Sequence, residues 1–529
     1  MSLGLNASLY MGARSLSNQQ IAIEVAGHNI SNINTPGSSR QRAIMNTDIV
    51  LEMESGQQGT GAMVQGLESL RSRLLDSQIV TQSSLNGFYE LKNTLMGYVQ
   101  DSLGESLSTA EASATEGVTA TTGIQNSLTE FFDAWEALSA DPNSTIARNN
   151  ILSKTESLIS DIKGTYGRLL DLREGFFTEA EQMTGDINSL AEEIAALNEE
   201  ISKIEISSGD QANDLRDRRQ YLIEELAKKV NITVTEHTAG DDSMVDIALT
   251  DAAGCILVDG SYGAGASGGG DTSYRLDVAS LTPVTGNVDV GNAYNEATNS
   301  VMRIVYTAST TAPTFTAGNP IPAGSTIATP TEGELGALVD VSNNVIGYGH
   351  QPPDSGETLG TPSDSLVYRL NQFTVSLISE VNTVHTTNAW DQNGTAGVAF
   401  FTAGGNAYDI ALGAGITGPE LIAAAQGATF PGELNGDNAL SMADLRDDAD
   451  LAVYHRQTIA DLGTDILQAQ RNQKVQELIQ NQLVTQRDGI SGISLDEEMT
   501  NLMVYQRAYE ASARFISVIN EMMQVLLAL

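Results

Sequence analysis

The stretch SGISLDEEMTNLMVYQRAYEASARFISVINEMMQVLLAL, residues 491–529, decides how the chain is read. Leu495, Leu502, Tyr509, Ile516 and Met523 recur at every seventh position. Met499, Gln506, Ala513, Asn520 and Leu527 each follow four residues later. Spacing of four and three is the seam of a coiled coil. Ser494 stands where an N-cap belongs, and Asp496, Glu497 and Glu498 fill the first turn, where acids complement the helix dipole. No Gly or Pro follows Gly492. The helix is therefore expected to run to Leu529, about 50 Å at 1.5 Å per residue. One helix cannot bury such a seam alone, so the sequence predicts a partner helix.

The candidate lies at the other end. In residues 2–34, Leu9, Leu16, Ile23 and Ile30 are spaced by seven, and Leu5, Gly12, Gln19, Ala26 and Ile33 form the accompanying row. Gly12, Gln19, Gln506 and Asn520 interrupt the two seams. Such helices are poorly stable alone, because nucleation is costly, and are expected to become ordered on docking. The purified monomer is thus expected to have mobile ends over 5–30 and 500–525. The first helix is expected to end in Asn29-Ile30-Ser31-Asn32-Ile33-Asn34-Thr35-Pro36-Gly37. Asn side chains bond nearby backbone, Pro fixes φ and Gly frees it, so a helix exit and a tight turn are expected.

Between the ends, a hairpin with its tip at Gly59-Thr60-Gly61 is expected over 43–66. A helix carrying Leu67, Leu70 and Leu74 should follow, then a loose connection over 104–123. A helix with Phe131, Phe132 and a core Trp135 should end before Asp141-Pro142-Asn143. Met183, Ile187, Leu190, Ile194, Leu197, Ile201 and Ile204 form the cleanest internal seam. With Leu215, Leu222 and Leu226 on a return helix they predict an antiparallel helical hairpin. Residues 232–332 alternate short β-branched runs with Gly, Asp and Pro, and read as a β domain containing strands 245–249 and 302–306. Helices follow over Leu366, Leu370, Phe373, Leu377 and Val381, and again from about Asp448 to Gly489.

The chain has 529 residues, enough for several domains. Its formal charge is -40, which disfavours nucleic acid and anionic membranes as partners. Residues 231–450 hold 26 acids against four arginines and no lysine, as expected of a solvated outer surface. Cys255 is the single cysteine, so no internal disulfide forms. The first residues lack a signal-peptide pattern, and no run of eighteen apolar residues is present.

No catalytic signature stands out. The glycine tract 263–269 satisfies both the dinucleotide pattern and the serine-hydrolase pattern, without the strand and helix either needs. His28, His237, His350, His385 and His455 lie far apart, none at a metal-ligand spacing. Asp391-Gln392-Asn393-Gly394 begins like a calcium loop but lacks the later ligands, so a plain turn is expected. No enzyme, no metal and no cofactor is read from these residues.

The asparagine segment with Ser38-Ser39-Arg40-Gln41-Arg42 resembles the N-terminal signature of bacterial flagellar axial proteins, and is most similar to the hook-associated protein 1 (FlgK) family. Ser38 stands where that family has Tyr. Asn213-Asp214-Leu215-Arg216-Asp217-Arg218-Arg219, residues 333–346, the stretch from His385 to Phe401, and Gly436-Asp437-Asn438-Ala439-Leu440 resemble it as well, while 240–330 and 347–363 do not. The resemblance implies a structural subunit of the bacterial flagellum, secreted by type III export and sitting outside the cell at the hook–filament junction. It implies sister subunits in a helical layer, the hook protein, the second hook-associated protein, and an export chaperone on the C-terminal helix as partners. The expected fold is mainly α with a β-rich insert, with terminal helices paired in a long coiled-coil bundle and outer mixed α/β domains. The expected division is a core of 1–45 with 490–529, a helical domain of 46–230 with 364–489, and a β-rich outer domain of 231–363. Another hook or rod axial protein, or an exported adhesin on a coiled-coil stalk, is the alternative.

Overall fold

The computed structural model describes residues 2–47, 50–53, 56–59, 61–104, 123–208, 211–236, 244–251, 256–258, 280–285, 302–307, 326–328, 330–347, 365–402, 406–430, 435–447 and 449–528. Helix α1 spans Ser2–Ser31. Its exit is a run of turns: Asn32 N–H donates to His28 O, Thr35 N–H to Asn32 O and Ser38 N–H to Thr35 O, at 3.0–3.2 Å. The chain then enters strand β1, Gln41–Thr47. β2 (Val50–Met53) and β3 (Gly56–Gly59) pair with each other, and β4 (Ala62–Ser69) returns antiparallel to β1 with Gln41 opposite Ser69. Gly59 is opposite Val50, so the chain reverses between Met53 and Gly56, not at the expected Gly59-Thr60-Gly61. Leu67 belongs to β4, and the next helix, α2, starts only at Arg73 and runs to Leu103. The expected loose connection falls, over 105–122, outside the described residues.

Helix α3, Ile124–Ala140, stops before Pro142 and buries Phe131, Phe132 and Trp135 completely or nearly so. Helix α4, Thr145–Ser208, is 64 residues long, about 96 Å at 1.5 Å per residue. It begins just after Pro142 and contains no further proline, which removes the usual cause of a break. The seam expected from Met183 is therefore only its second half, with Ile187, Ile194 and Ile201 fully buried. Helix α5, Asn213–Lys229, packs back on it and closes the helical hairpin.

Two small antiparallel sheets follow. β5 (Ile232–Glu236), β6 (Val245–Leu249) and β7 (Ile256–Val258) lie in sequence order, and Val245, Ile247 and Leu249 face the core with a period of two. β8 (Ser280–Thr285), β9 (Met302–Thr307) and β10 (Thr326–Ala328) have β9 central. Helix α6, Gly333–Asp340, runs into a π-helical turn, Val341–Ile346. From that turn the Asn343 amide clips both backbone groups of Met302 at 2.9 Å, which fastens the second sheet to the helices.

Helix α7, Leu366–Thr386, buries Leu366, Leu370, Phe373, Leu377 and Val381. Short strands β11 (Ala389–Trp390) and β12 (Ala425–Gln426) frame a loop-rich region, closed by α8, Asp437–Asp444. Buried Arg148 ties α4 to that region through the carbonyls of Pro142, Pro419 and Ile422. Burial lowers its pKa. Helix α9, Ala449–Ser491, and helix α10, Leu495–Ala528, complete the chain, with the break at residues 492–494. The protein is mostly helical with a few small sheets, as its periodicities predict.

Candidate functional site at the paired termini

The two ends of the chain lie side by side. A Cβ on Gly12 would come within 2.8 Å of Ile516 Cγ1 and 3.2 Å of Phe515 Cδ1. Glycine here is not a weak point of the seam but the reason the helices approach so closely. One turn on, the Ser15 and Ser512 hydroxyls are 2.9 Å apart. On α10, Leu502, Tyr509, Ile516 and Met523 are half-buried along this contact, whereas Leu495 at its start is exposed.

The accompanying row differs from the expected one. Met499, Gln506 and Asn520 are exposed and Ala513 is half-buried, while the side chain of Leu527 is outside the described residues. The buried or half-buried row is Glu498, Tyr505, Ser512 and Ile519, three residues after the first row and not four. On α1, Leu9, Leu16, Ile23 and Ile30 are half-buried. The deepest positions are Gly12, Asn18, Ala22, Val25, Ala26 and Asn29. Of the expected second row, Gln19 is half-buried, Ile33 is exposed and the side chain of Leu5 is not described. The pair is thus a small-residue contact on the α1 side. Asn18 fastens the hairpin to it, donating to Ala62 O at 2.6 Å and accepting from Val64 N–H at 3.3 Å.

The asparagine turn is the junction where this pair meets the rest of the protein. Asn29 is 1% exposed. Its Nδ2 donates to Gln41 O at 2.9 Å and to Glu498 Oε2 at 3.1 Å, and its Oδ1 accepts from Gln41 N–H at 3.0 Å. One side chain thereby ties the end of α1, the start of β1 and the first turn of α10. Arg40 supplies the countercharge, at 2.8 Å from Glu498 and 2.6 Å from Glu497. Its backbone N–H donates to Ser491 O at the end of α9, and its carbonyl accepts from Leu70 N–H.

The turn also docks on α5. Ser39 N–H and Oγ both donate to Asp217 Oδ2 at 2.6 Å, and Arg71 donates to Oδ1 at 2.9 Å. Burial raises the Asp217 pKa, with Arg71 and the Ser39 donors opposing. Gln41 Nε2 donates to Asp214 Oδ1 at 2.7 Å, and the His28 ring lies 3.1 Å from its Oδ2. Gly37 has φ +79°, and a Cβ there would sit 2.7 Å from Tyr221 Cβ. The turn thus needs glycine for both conformation and space. Asn32 donates to the His28 ring at 3.0 Å and accepts from Thr35 Oγ1 at 3.3 Å. Asn34, Thr35 and Pro36 are exposed at the tip, and Ile30 is half-buried. Asp214 and Asp217 belong to the segment singled out in the sequence, but its meeting with the turn had no local signal.

The groups set aside as catalytic candidates have structural surroundings where they are described. Asp391 Oδ1 accepts from Asn393 N–H and Thr395 N–H at 2.9 and 2.7 Å, an Asx-type turn. His385 is buried, and burial lowers its pKa to about 4. His237, His350, Cys255, the glycine tract 263–269 and the side chain of His455 lie outside the described residues. Among the described residues no three His, Cys, Asp or Glu are placed to hold a metal ion, and no helix is long and apolar enough to cross a membrane.

The two ends that fold together here are the parts of the chain that match flagellar axial proteins. Residues 9–37 match the flagella basal body rod protein family, and residues 488–529 match the flagellar basal body rod FlgEFG protein C-terminal family. Residues 115–401, more than half of the chain, match the family described as flagellar hook-associated protein FlgK helical domain. The chain belongs to the FlgK family of flagellar hook-associated proteins, the structural family of the hook–filament junction. Flagellar hook-associated protein 1 of Bacillus subtilis is 25% identical over 552 residues, covering 98% of this chain and 97% of that protein. The Escherichia coli protein of the same name is 25% identical over 279 residues, 52% of this chain and 47% of its own length. The solved flagellar hook junction protein FlgK from Burkholderia pseudomallei superposes with a TM-score of 0.43 at 20% identity, over 63% of this chain and 47% of that one.

Proposed function

We propose that this chain is an extracellular junction subunit that adapts hook to filament by polymerising through its paired end helices. The observation that carries the reading is the unequal burial of α10. One face packs on α1. The other leaves Met499, Met503, Val518, Met522 and Val525 exposed, Val525 at 62%. Apolar patches near both ends of that face, with exposed Arg507, Glu510 and Arg514 between them, on a helix already paired once are the kind of surface a further body covers. In a helical array that body is a sister chain, meeting the first by a heterologous contact.

The remaining partners follow from family membership. They are the hook protein below, the second hook-associated protein above, and an export chaperone on the C-terminal helix before secretion. In this reading residues 1–45 with 490–529 form the inner rod. Residues 46–230 with 364–489 form the helical domain around it, and 231–363 face outward with most of the acid. The chain is a structural part with no reaction of its own. A stalked adhesin would keep its two ends apart, and the contact of Gly12 with Ile516 speaks against that alternative.

A strain lacking this chain tests the reading by electron microscopy. Hooks without filaments, with filament protein shed into the medium, are expected. Normal filaments on the mutant would overturn it.

A further inference from the structure

The chain contains three Asn-Gly pairs: Asn86-Gly87, Asn393-Gly394 and Asn435-Gly436. In such a pair no Cβ shields the following backbone nitrogen from the Asn side chain. Folding leaves the three in different states. Asn86 lies inside α2, where the Gly87 N–H is committed to the helical ladder. Gly87 is also pressed on α5, since a Cβ there would collide with Lys228 O. Asn435 has both ends of its amide bonded to Gln426: Oδ1 accepts from its N–H at 2.9 Å and Nδ2 donates to its carbonyl at 3.1 Å. Asn393 is exposed at the tip of the Asx turn. Asp391 Oδ1 holds the backbone N–H of Asn393 and of Thr395, but among the described residues nothing holds the Asn393 side-chain amide. The Gly394 N–H donates to Asp391 O at 3.2 Å, the long end of the ordinary range.

We propose that Asn393 is a site of spontaneous deamidation, through which the loop-rich region between α7 and α8 ages while the other two pairs stay intact. The Gly394 nitrogen attacks Asn393 Cγ and the N–Cγ bond forms. The Cγ–Nδ2 bond breaks, and the Gly394 proton passes by way of solvent to the departing nitrogen, which leaves as ammonia. A cyclic imide joins the two residues. Water then opens it at either carbonyl. Opening at Cγ gives Asp; opening at the backbone carbonyl gives isoaspartate, whose main chain runs through the former side chain. One water enters, one ammonia leaves, and no oxidant or reductant takes part. Isoaspartate lengthens the backbone between residues 393 and 394. The turn closes on the shorter chain: Asp391 N–H donates to Thr395 O at 2.9 Å while Asp391 Oδ1 accepts from Thr395 N–H at 2.7 Å. An extra backbone atom between these partners separates them.

The test holds the folded full-length protein in warm, mildly alkaline buffer and follows the three pairs by peptide mass spectrometry. A parallel sample in urea gives each rate without the fold. In the folded protein Asn393 is expected to convert about tenfold faster than Asn86 and Asn435, because a surface turn opens at lower free energy than a helix or a doubly bonded amide. In urea the three rates should converge. Conversion of Asn86 or Asn435 at the Asn393 rate in the folded protein, or an intact Asn393 there while it converts in urea, would overturn the proposal. Isoaspartyl methyltransferase labelling separates isoaspartate from Asp. Amide exchange at Thr395 should quicken in the labelled fraction and stay slow in Asn393→Asp, which adds the charge without lengthening the chain. Unchanged exchange in the labelled fraction, or equal loosening in Asn393→Asp, would contradict the effect on the turn.

Discussion

Replacing Asn29 by Ala should open the junction at the base of the terminal pair. The change removes three hydrogen bonds from a side chain that is 1% exposed. Gln41 loses the partner of both its N–H and its carbonyl, and Glu498, itself 2% exposed, keeps only Arg40. A buried polar group left unpaired costs about 1–3 kcal/mol, so two of them amount to about 2–5 kcal/mol after partial rescue by water. That is roughly 30-fold or more in the local opening equilibrium. The assay is amide exchange of Gln41 in the full-length monomer, because its N–H donates to Asn29 Oδ1. Faster exchange by about that factor is expected, with little change in α4. A double-mutant cycle with Glu498→Ala should show coupling of about 1–2 kcal/mol, since the residues share a hydrogen bond. Gln41 exchange unchanged within a few-fold, or full additivity, would refute the clamp.

Further expectations concern the turn and the core. Gly37→Ala meets positive φ and the Tyr221 side chain together, and should destabilise the protein by about 2 kcal/mol in urea titration. Acid should weaken the core through His385, whose Nδ1–H donates to Val398 O at 2.5 Å while Nε2 accepts from Ala423 N–H at 2.9 Å. The folded ring stays neutral to a pKa of about 4. The unfolded ring takes a proton near 6.5. Stability from this site is therefore full above pH 6.5 and is lost on falling toward pH 4, by about 3 kcal/mol in total. Asp217, held above the usual carboxylate range by burial, acts in the opposite direction. The difference between the native chain and His385→Gln isolates the histidine; parallel pH profiles would contradict the assignment.

Local periodicity was enough to place both end helices, the α4–α5 hairpin and strands β6 and β9. It failed where the decisive partner is far along the chain. Glu498 looks like a first-turn acid that any helix might carry, yet it is buried against Asn29, 469 positions away. The second seam row was misplaced because Tyr505 and Ser512 look polar; Ser512 meets Ser15 across the pair. Gly12 looked like a defect and is a point of contact. The hairpin tip was put at a Gly-Thr-Gly cluster, although Gly59 pairs with Val50 inside the ladder. The full length of α4 escaped because polar Thr155, Thr165 and Arg173 occupy buried seam positions in its first half, among the fully buried Leu158, Ile162 and Leu169.

Amide exchange across residues 505–525, compared between the confirmed monomer and isolated flagella, tests the central claim most directly. Weak protection in the monomer that becomes strong in flagella is expected. Tight protection already present in the monomer and unchanged on assembly would mean the end helices need no sister chains, and would contradict the account.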